Sequence, residues 1–125
     1  KDFCRQQFLK LLANAAINPI TALTRSQNGV VLSPALKSTV ERVVAETVAV
    51  AKAEGLAISE EEALGLVLSV AAKTAANTSS MLQDVLRGRR TEIEAINGYI
   101  VRQGKKHGIA VPANETLYAL VKISS

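Results

Sequence analysis

The sequence predicts an all-α fold, a compact multi-helix domain, and three observations carry that prediction. Apolar residues recur at helical spacing in one segment after another. No run of period-two alternation bounded by turn residues occurs along the chain. Hydrophobic residues make up 48% and aromatics only 3%, so the core must be built from Ala, Leu, Val and Ile, which suit closely packed helices. At 125 residues the chain is long enough for a real core but short for a complete two-substrate enzyme. We therefore expect one domain, residues 1–125. Because it starts at Lys1 rather than Met, we expect a piece of a longer protein.

The first helix should run from about Asp2 and stop or kink near Asn18, since the residue before Pro19 disfavours the α region. Lys10, Asn14 and Asn18 lie four residues apart, and four residues turn about 400° around a helix. The three polar groups therefore share one face among Leu, Ala and Ile neighbours. A lysine and two carboxamides are costly to bury unless their hydrogen-bonding capacity is filled. Two readings follow. A small oxygen-rich ligand could fill it, with a lysine in an apolar pocket giving up its proton near neutral pH. Alternatively Lys10 reaches out to water and the Asn amides bond nearby backbone.

Residues Thr24 to Leu32, centred on Asn28-Gly29, read as a loop. Ser33-Pro34 then signals a helix start, with Leu36, Val40, Val43, Val44, Val48 and Ala51 at helical spacing and Gly55 as the stop. Ser59 and Glu62 have capping-box spacing, and Glu60, Glu61 and Glu62 suit the helix dipole there. The following segment, Ala63 to Ala72, is apolar nearly all round and is expected at the centre of the domain.

Asn77-Thr78-Ser79-Ser80-Met81-Leu82-Gln83-Asp84 is a second unusual stretch, whose small hydroxyl residues allow another molecule to approach the backbone. Arg87, Arg89 and Arg90 read as a solvated face. Thr91-Glu92-Ile93-Glu94 is another capping-box match, opening a helix that ends at Gly108. Lys105, Lys106 and His107 complement the dipole in its last turn, which gives His107 a sufficient role without catalysis. Pro112 and Asn114 start a short final helix, Glu115 to about Ile123.

Several function classes are disfavoured. A net charge of +4, spread along the chain with few aromatics, does not suit a nucleic-acid surface. The longest uncharged run, Leu11 to Thr24, falls short of the ~18 residues a membrane span needs. Cys4 is the only cysteine, which points away from a structural zinc site and weakly towards a reducing, cytoplasmic setting. No metal site is expected. Neither a Gly-x-Gly-x-x-Gly fingerprint nor a P-loop is present, and the seven glycines are scattered singly.

Three ordered motifs carry a family resemblance. The run from Lys10 to Leu23, KLLANAAINPITAL, with Asn28-Gly29 after it, resembles the opening of the C-terminal domain of the ketopantoate reductases, or 2-dehydropantoate 2-reductases. Ser79 to Asp84, then Arg90 to Gly98, are similar to that family's second signature, and His107 to Asn114 to its third. The similarity extends from about Phe8 to Lys122, although Ser33 to Lys73 matches only as a helical pattern.

The resemblance implies a fold like the 6-phosphogluconate dehydrogenase C-terminal domain and NADPH-dependent reduction of ketopantoate to pantoate. It also implies a separate N-terminal Rossmann domain holding the cofactor, and allows for a homodimer. Lys10 matches the family's general acid. Asn14, Asn18 and Ser80 match substrate-binding positions, Asn28 and Asn77 match further ones, and Glu92 matches a glutamate at the cofactor–substrate junction. Phe8 replaces the family's aromatic residue shortly before the lysine, a conservative departure. Two alternatives are a related NAD(P)H-dependent reductase of another 2-oxo acid and a non-enzymatic helical interaction module.

Overall fold

A computed structural model describes residues 5–124. They form six α-helices: α1 (Arg5–Thr24), α2 (Lys37–Ala53), α3 (Glu60–Lys73), α4 (Ser80–Leu86), α5 (Asn97–His107) and α6 (Pro112–Ser124). There is no strand among the described residues, as the composition predicts. Nor is any helix among them long and apolar enough to cross a membrane. The expected helix start at Asp2, and Cys4, lie outside the described residues.

The centre of the domain is α1, not α3. Phe8, Leu12, Ala15 and Ala16 are fully buried, and α2, α3, α4 and α6 all pack against this helix. By contrast α3 buries only Ala63, Val67 and Ala71, and its Leu68 is 39% exposed. An all-round apolar sequence marks a candidate for burial, but only α1 has neighbours on enough sides to use it.

The proline does not end α1, which continues through Pro19 to Thr24. Proline removes one backbone donor, and the acceptor left over is the Ala15 carbonyl four residues earlier. The Asn97 side-chain amide donates to that carbonyl at 3.2 Å. Tertiary structure supplies what the helix lost.

Between α1 and α2 the expected loop tightens into two 3-10 segments, Asn28–Leu32 and Pro34–Leu36. Ser33 makes no side-chain cap; its backbone N–H donates to the Val30 carbonyl, and α2 begins only at Lys37. The Ser59 cap of α3 is formed as predicted, with its hydroxyl accepting from the Glu62 N–H at 3.0 Å. The Glu62 carboxylate pairs with Arg5 rather than closing the box.

The Thr91 box does not open α5, which starts at Asn97. The Thr91 hydroxyl accepts from the Ile93 N–H at 3.4 Å, and the Ile93 carbonyl then takes the N–H groups of Ile96 and Gly98. This tight turn brings both Ile93 and Ile96 into the core. At the other end Gly108 adopts φ 69°, a left-handed conformation, and Ile109 N–H donates to the Gly104 carbonyl, closing α5 where predicted.

Helix α6 begins at Pro112, three residues before the expected Glu115. Its free N-terminal donors are met by a carboxylate from another helix. Glu46 of α2, only 6% exposed, accepts from Ala113 N–H at 2.9 Å, Asn114 N–H at 3.0 Å and Asn114 Nδ2 at 3.0 Å.

Candidate functional site

The α1 face that carries Lys10, Asn14 and Asn18 runs from solvent into the domain. Lys10 is exposed, Asn14 half-buried, and Asn18 8% exposed. None of these three side chains hydrogen-bonds a described residue, so the amides are not consumed by nearby backbone. Lys10 also has no ion-pair partner among the described residues. The apolar pocket imagined around Lys10 is not formed by this chain alone, because the helix has no neighbour over its N-terminal polar face.

Ser80 is joined to that face indirectly. It is the first residue of α4 and is exposed, while Ser79 before it is the helix cap, accepting from the Leu82 N–H at 3.1 Å. The Ser79 hydroxyl lies 2.6 Å from the hydroxyl of Thr21, which itself donates to the Asn18 carbonyl at 2.9 Å. A buried chain of two hydroxyls therefore links the Asn18 turn of α1 to the start of α4.

Asn28 and Asn77 also meet. The Asn28 N–H donates to the Asn77 carbonyl at 2.9 Å, and Gly29 N–H to the Ala75 carbonyl at 3.0 Å. A Cβ on Gly29 would come within 3.0 Å of the Ala75 Cβ, so glycine permits this close approach. Asn28 Nδ2 donates to the Thr74 hydroxyl at 2.9 Å, and Thr74 donates to the Val70 carbonyl. That arrangement orients the amide and leaves the Asn28 Oδ1 buried without a partner. The Asn77 side chain is exposed.

Glu92 is exposed in the turn before α5 and has no hydrogen-bond or ion-pair partner among the described residues. No hydrogen bond ties it to the Lys10 face. Beside it, Arg90, Thr91, Ile93, Glu94 and Lys122 line a cleft of about 360 Å³. Glu94 there accepts from the Tyr118 hydroxyl at 2.6 Å and pairs with Lys122 at 3.0 Å and Arg102 at 3.6 Å. The tyrosine hydrogen bond, then the lysine, hold the Glu94 carboxyl below its usual value. Arg87, Arg89 and Arg90 are exposed, in keeping with a solvated face, and Arg89 pairs with Asp84 at 3.4 Å.

His107 does more than complement a dipole. Its Nε2 lies 2.7 Å from Glu54 Oε2, an oxygen that also accepts from Gln103 Nε2 at 2.6 Å. The contact ties the end of α5 to the end of α2, far in sequence from the Lys10 motif.

Reading the sequence missed Thr21, Ser79 and Thr74 as supports for the candidate residues. The signals were faint. Thr21 stands three residues after Asn18 within the first motif, and Ser79 is the first serine of the pair.

The arrangement is thus a lysine and several amides and hydroxyls, unpartnered on one side, gathered around a buried central helix. The family model for "Ketopantoate reductase PanE/ApbA C terminal" matches residues 2–124. The chain belongs to this family. It is 43% identical over 113 residues to the 2-dehydropantoate 2-reductase of Vibrio cholerae, covering 90% of this chain and 38% of that protein. Against the 2-dehydropantoate 2-reductase of Archaeoglobus fulgidus it is 47% identical over 114 residues, covering 90% and 38%.

Solved structures agree on the fold. A ketopantoate reductase from Ralstonia eutropha JMP134 superposes with a TM-score of 0.88 at 37% identity, over 95% of this chain and 40% of that one. A D-mandelate dehydrogenase, in a ternary structure with NADH and anilino(oxo)acetate, gives 0.89 at 27% identity, over 95% and 67%. The chain spans less than half the length of the 2-dehydropantoate 2-reductases it matches.

Proposed function

We propose that this chain is the C-terminal substrate and catalytic domain of a longer NADPH-dependent 2-dehydropantoate 2-reductase. The observation that carries the reading is the unpartnered Lys10, Asn14 and Asn18 face, with Ser80 tethered beside it. A lysine donor next to amides and a hydroxyl suits a substrate bearing a carbonyl and a carboxylate.

In this reading Asn18 and Ser80 hold the substrate by hydrogen bonds, and Asn14 steadies the carbonyl end. Asn28 and Asn77 flank the far side of the substrate. Lys10 Nζ donates a hydrogen bond to the carbonyl oxygen and passes it a proton as the carbon accepts hydride. When bound, reduced nicotinamide supplies that hydride. Lys10 then regains a proton from water.

The fit of this chain to a dinucleotide is partial. The free, exposed Glu92 carboxylate suits a hydroxyl or amide at one edge, but no glycine-rich turn is available for the phosphates. The reading assigns the phosphates to an N-terminal Rossmann domain, which also covers Lys10 and dries its surroundings. As in the family member described as a dimeric ketopantoate reductase, the whole protein is expected to form a homodimer.

A second reading is a reductase for another 2-oxo acid, favoured by the likeness to the D-mandelate dehydrogenase that holds anilino(oxo)acetate. Steady-state turnover of the full-length protein separates the two. We expect kcat/KM to be highest with ketopantoate and NADPH. Preference for an aryl 2-oxo acid, or for NADH, would favour the second reading.

A further inference from the structure

We propose that Thr21 is a positioning residue for substrate recognition, holding Ser80 beside the Asn14–Asn18 face through the buried hydroxyl of Ser79. The proposal rests on the reading that Asn18 and Ser80 contact the substrate.

Hydrogen accounting settles the direction of every bond in this link. A hydroxyl has one hydrogen to give. Thr21 spends its hydrogen on the Asn18 carbonyl, which can only accept. The Ser79 hydroxyl must therefore donate across the 2.6 Å gap to Thr21, while its lone pair receives the Leu82 N–H. Each hydroxyl donates once and accepts at least once.

Burial makes the link stiff. Thr21 is 0% and Ser79 6% exposed, so water does not compete for either hydroxyl. A threonine in a helix commonly bonds back to its own preceding turn, which needs no second partner. The bond across to Ser79 is the unusual one. It matters because α4 is only seven residues long and its packing rests on Met81 and Leu82, so the Ser79 hydroxyl is the polar contact that fixes how its N-terminus meets α1. Its N-terminal residue is Ser80, one position from the anchored hydroxyl. A valine at 21 has nearly the same shape as threonine, so packing alone does not require the hydroxyl.

The test uses the full-length protein, with KM for ketopantoate, kcat and thermal midpoint measured together. Thr21→Val should raise KM about tenfold, as expected for weakening one hydrogen bond to a charged substrate, and leave kcat within about twofold. Thr21→Ser keeps the hydroxyl and should restore KM. In a Ser80→Ala background, Thr21→Val should add no further loss, because its effect passes through Ser80. If Thr21→Val does not fold, Ser79→Ala breaks the same link from the other side and is read by the same KM split.

A wild-type KM for Thr21→Val, alongside a raised KM for Ser80→Ala, would overturn the proposal while leaving the substrate assignment standing. Equal KM losses for the Val and Ser variants, or full additivity with Ser80→Ala, would reduce Thr21 to a packing role. Wild-type KM for both Asn18→Ala and Ser80→Ala would remove the assignment itself, and the proposal with it.

Discussion

The Asn97 side-chain amide donates to the Ala15 carbonyl at 3.2 Å, and that carbonyl is the one Pro19 leaves without its helical donor. The second hydrogen of the same amide goes to Asn114 Oδ1 at 2.9 Å. Asn114 in turn gives both its N–H and its Nδ2 to Glu46. A buried polar chain thus joins α1, α5, α6 and α2, and its first task is to let the central helix pass through a proline.

Asn97→Ala should therefore be costly. It leaves the Ala15 carbonyl and the Asn114 carbonyl oxygen buried without donors, worth about 2 kcal/mol or more in equilibrium unfolding. Pro19→Ala restores a backbone donor to Ala15, so the Asn97→Ala loss should shrink in that background. Strict additivity of the two substitutions in urea unfolding would show that the side chain does not compensate for the proline.

Removing the Glu46 carboxylate exposes three donors at once. Glu46→Ala should destabilise by about 3 kcal/mol, since two α6 backbone N–H groups and one amide lose a charged acceptor inside the protein. Glu46→Gln retains one acceptor oxygen and should cost less. Thermal melts of the two variants, with helicity followed by circular dichroism, give the order directly.

Glu54 predicts an acid-sensitive contact. The His107 hydrogen bond, then the one from Gln103, hold its carboxyl below the usual glutamate value despite burial. A carboxylate with a lowered folded value stabilises the fold above its unfolded value, and that contribution disappears as pH falls through the lowered one. Glu54→Gln should therefore lose less thermal stability than wild type between about pH 6 and about pH 3. Parallel melting curves for the two proteins across that range would contradict the assignment.

Lys10 carries the chemical prediction. As general acid it should contribute roughly 10²–10⁴-fold to kcat, which Lys10→Ala in the full-length protein would lose. Arginine should not rescue, because a guanidinium keeps its proton at any working pH. Near-normal turnover by Lys10→Arg would place the acid elsewhere.

The isolated chain should be catalytically silent and bind NADPH negligibly, since its sequence has no glycine-rich turn to cradle the phosphates. It should also self-associate at high concentration. An apolar groove of about 320 Å³ lies between the start of α2 and α3, edged by Leu32, 42% exposed, and Leu68. Micromolar NADPH binding in calorimetry would contradict the division of labour. A monomer at millimolar concentration in sedimentation equilibrium would contradict the association.

The sequence by itself determined the helical class, the start of α3, the stops of α2 and α5 and the polar face of α1. Those features depend on local chemistry: four-residue spacing, the Ser59 cap, and Gly108 in its left-handed turn. It also carried the family, because the three motifs are contiguous runs of residue types. Tertiary structure decided which helix is central, since apolar sequence shows what can be buried but not how many neighbours arrive. It decided that α1 survives Pro19, because the compensating donor is Asn97, distant in the chain. It linked the Asn18 turn of α1 to the start of α4 through Thr21 and Ser79, whose hydroxyls find each other only once two helices pack. Such bonds join partners with no fixed spacing, and their physics is contact in space rather than order along the chain.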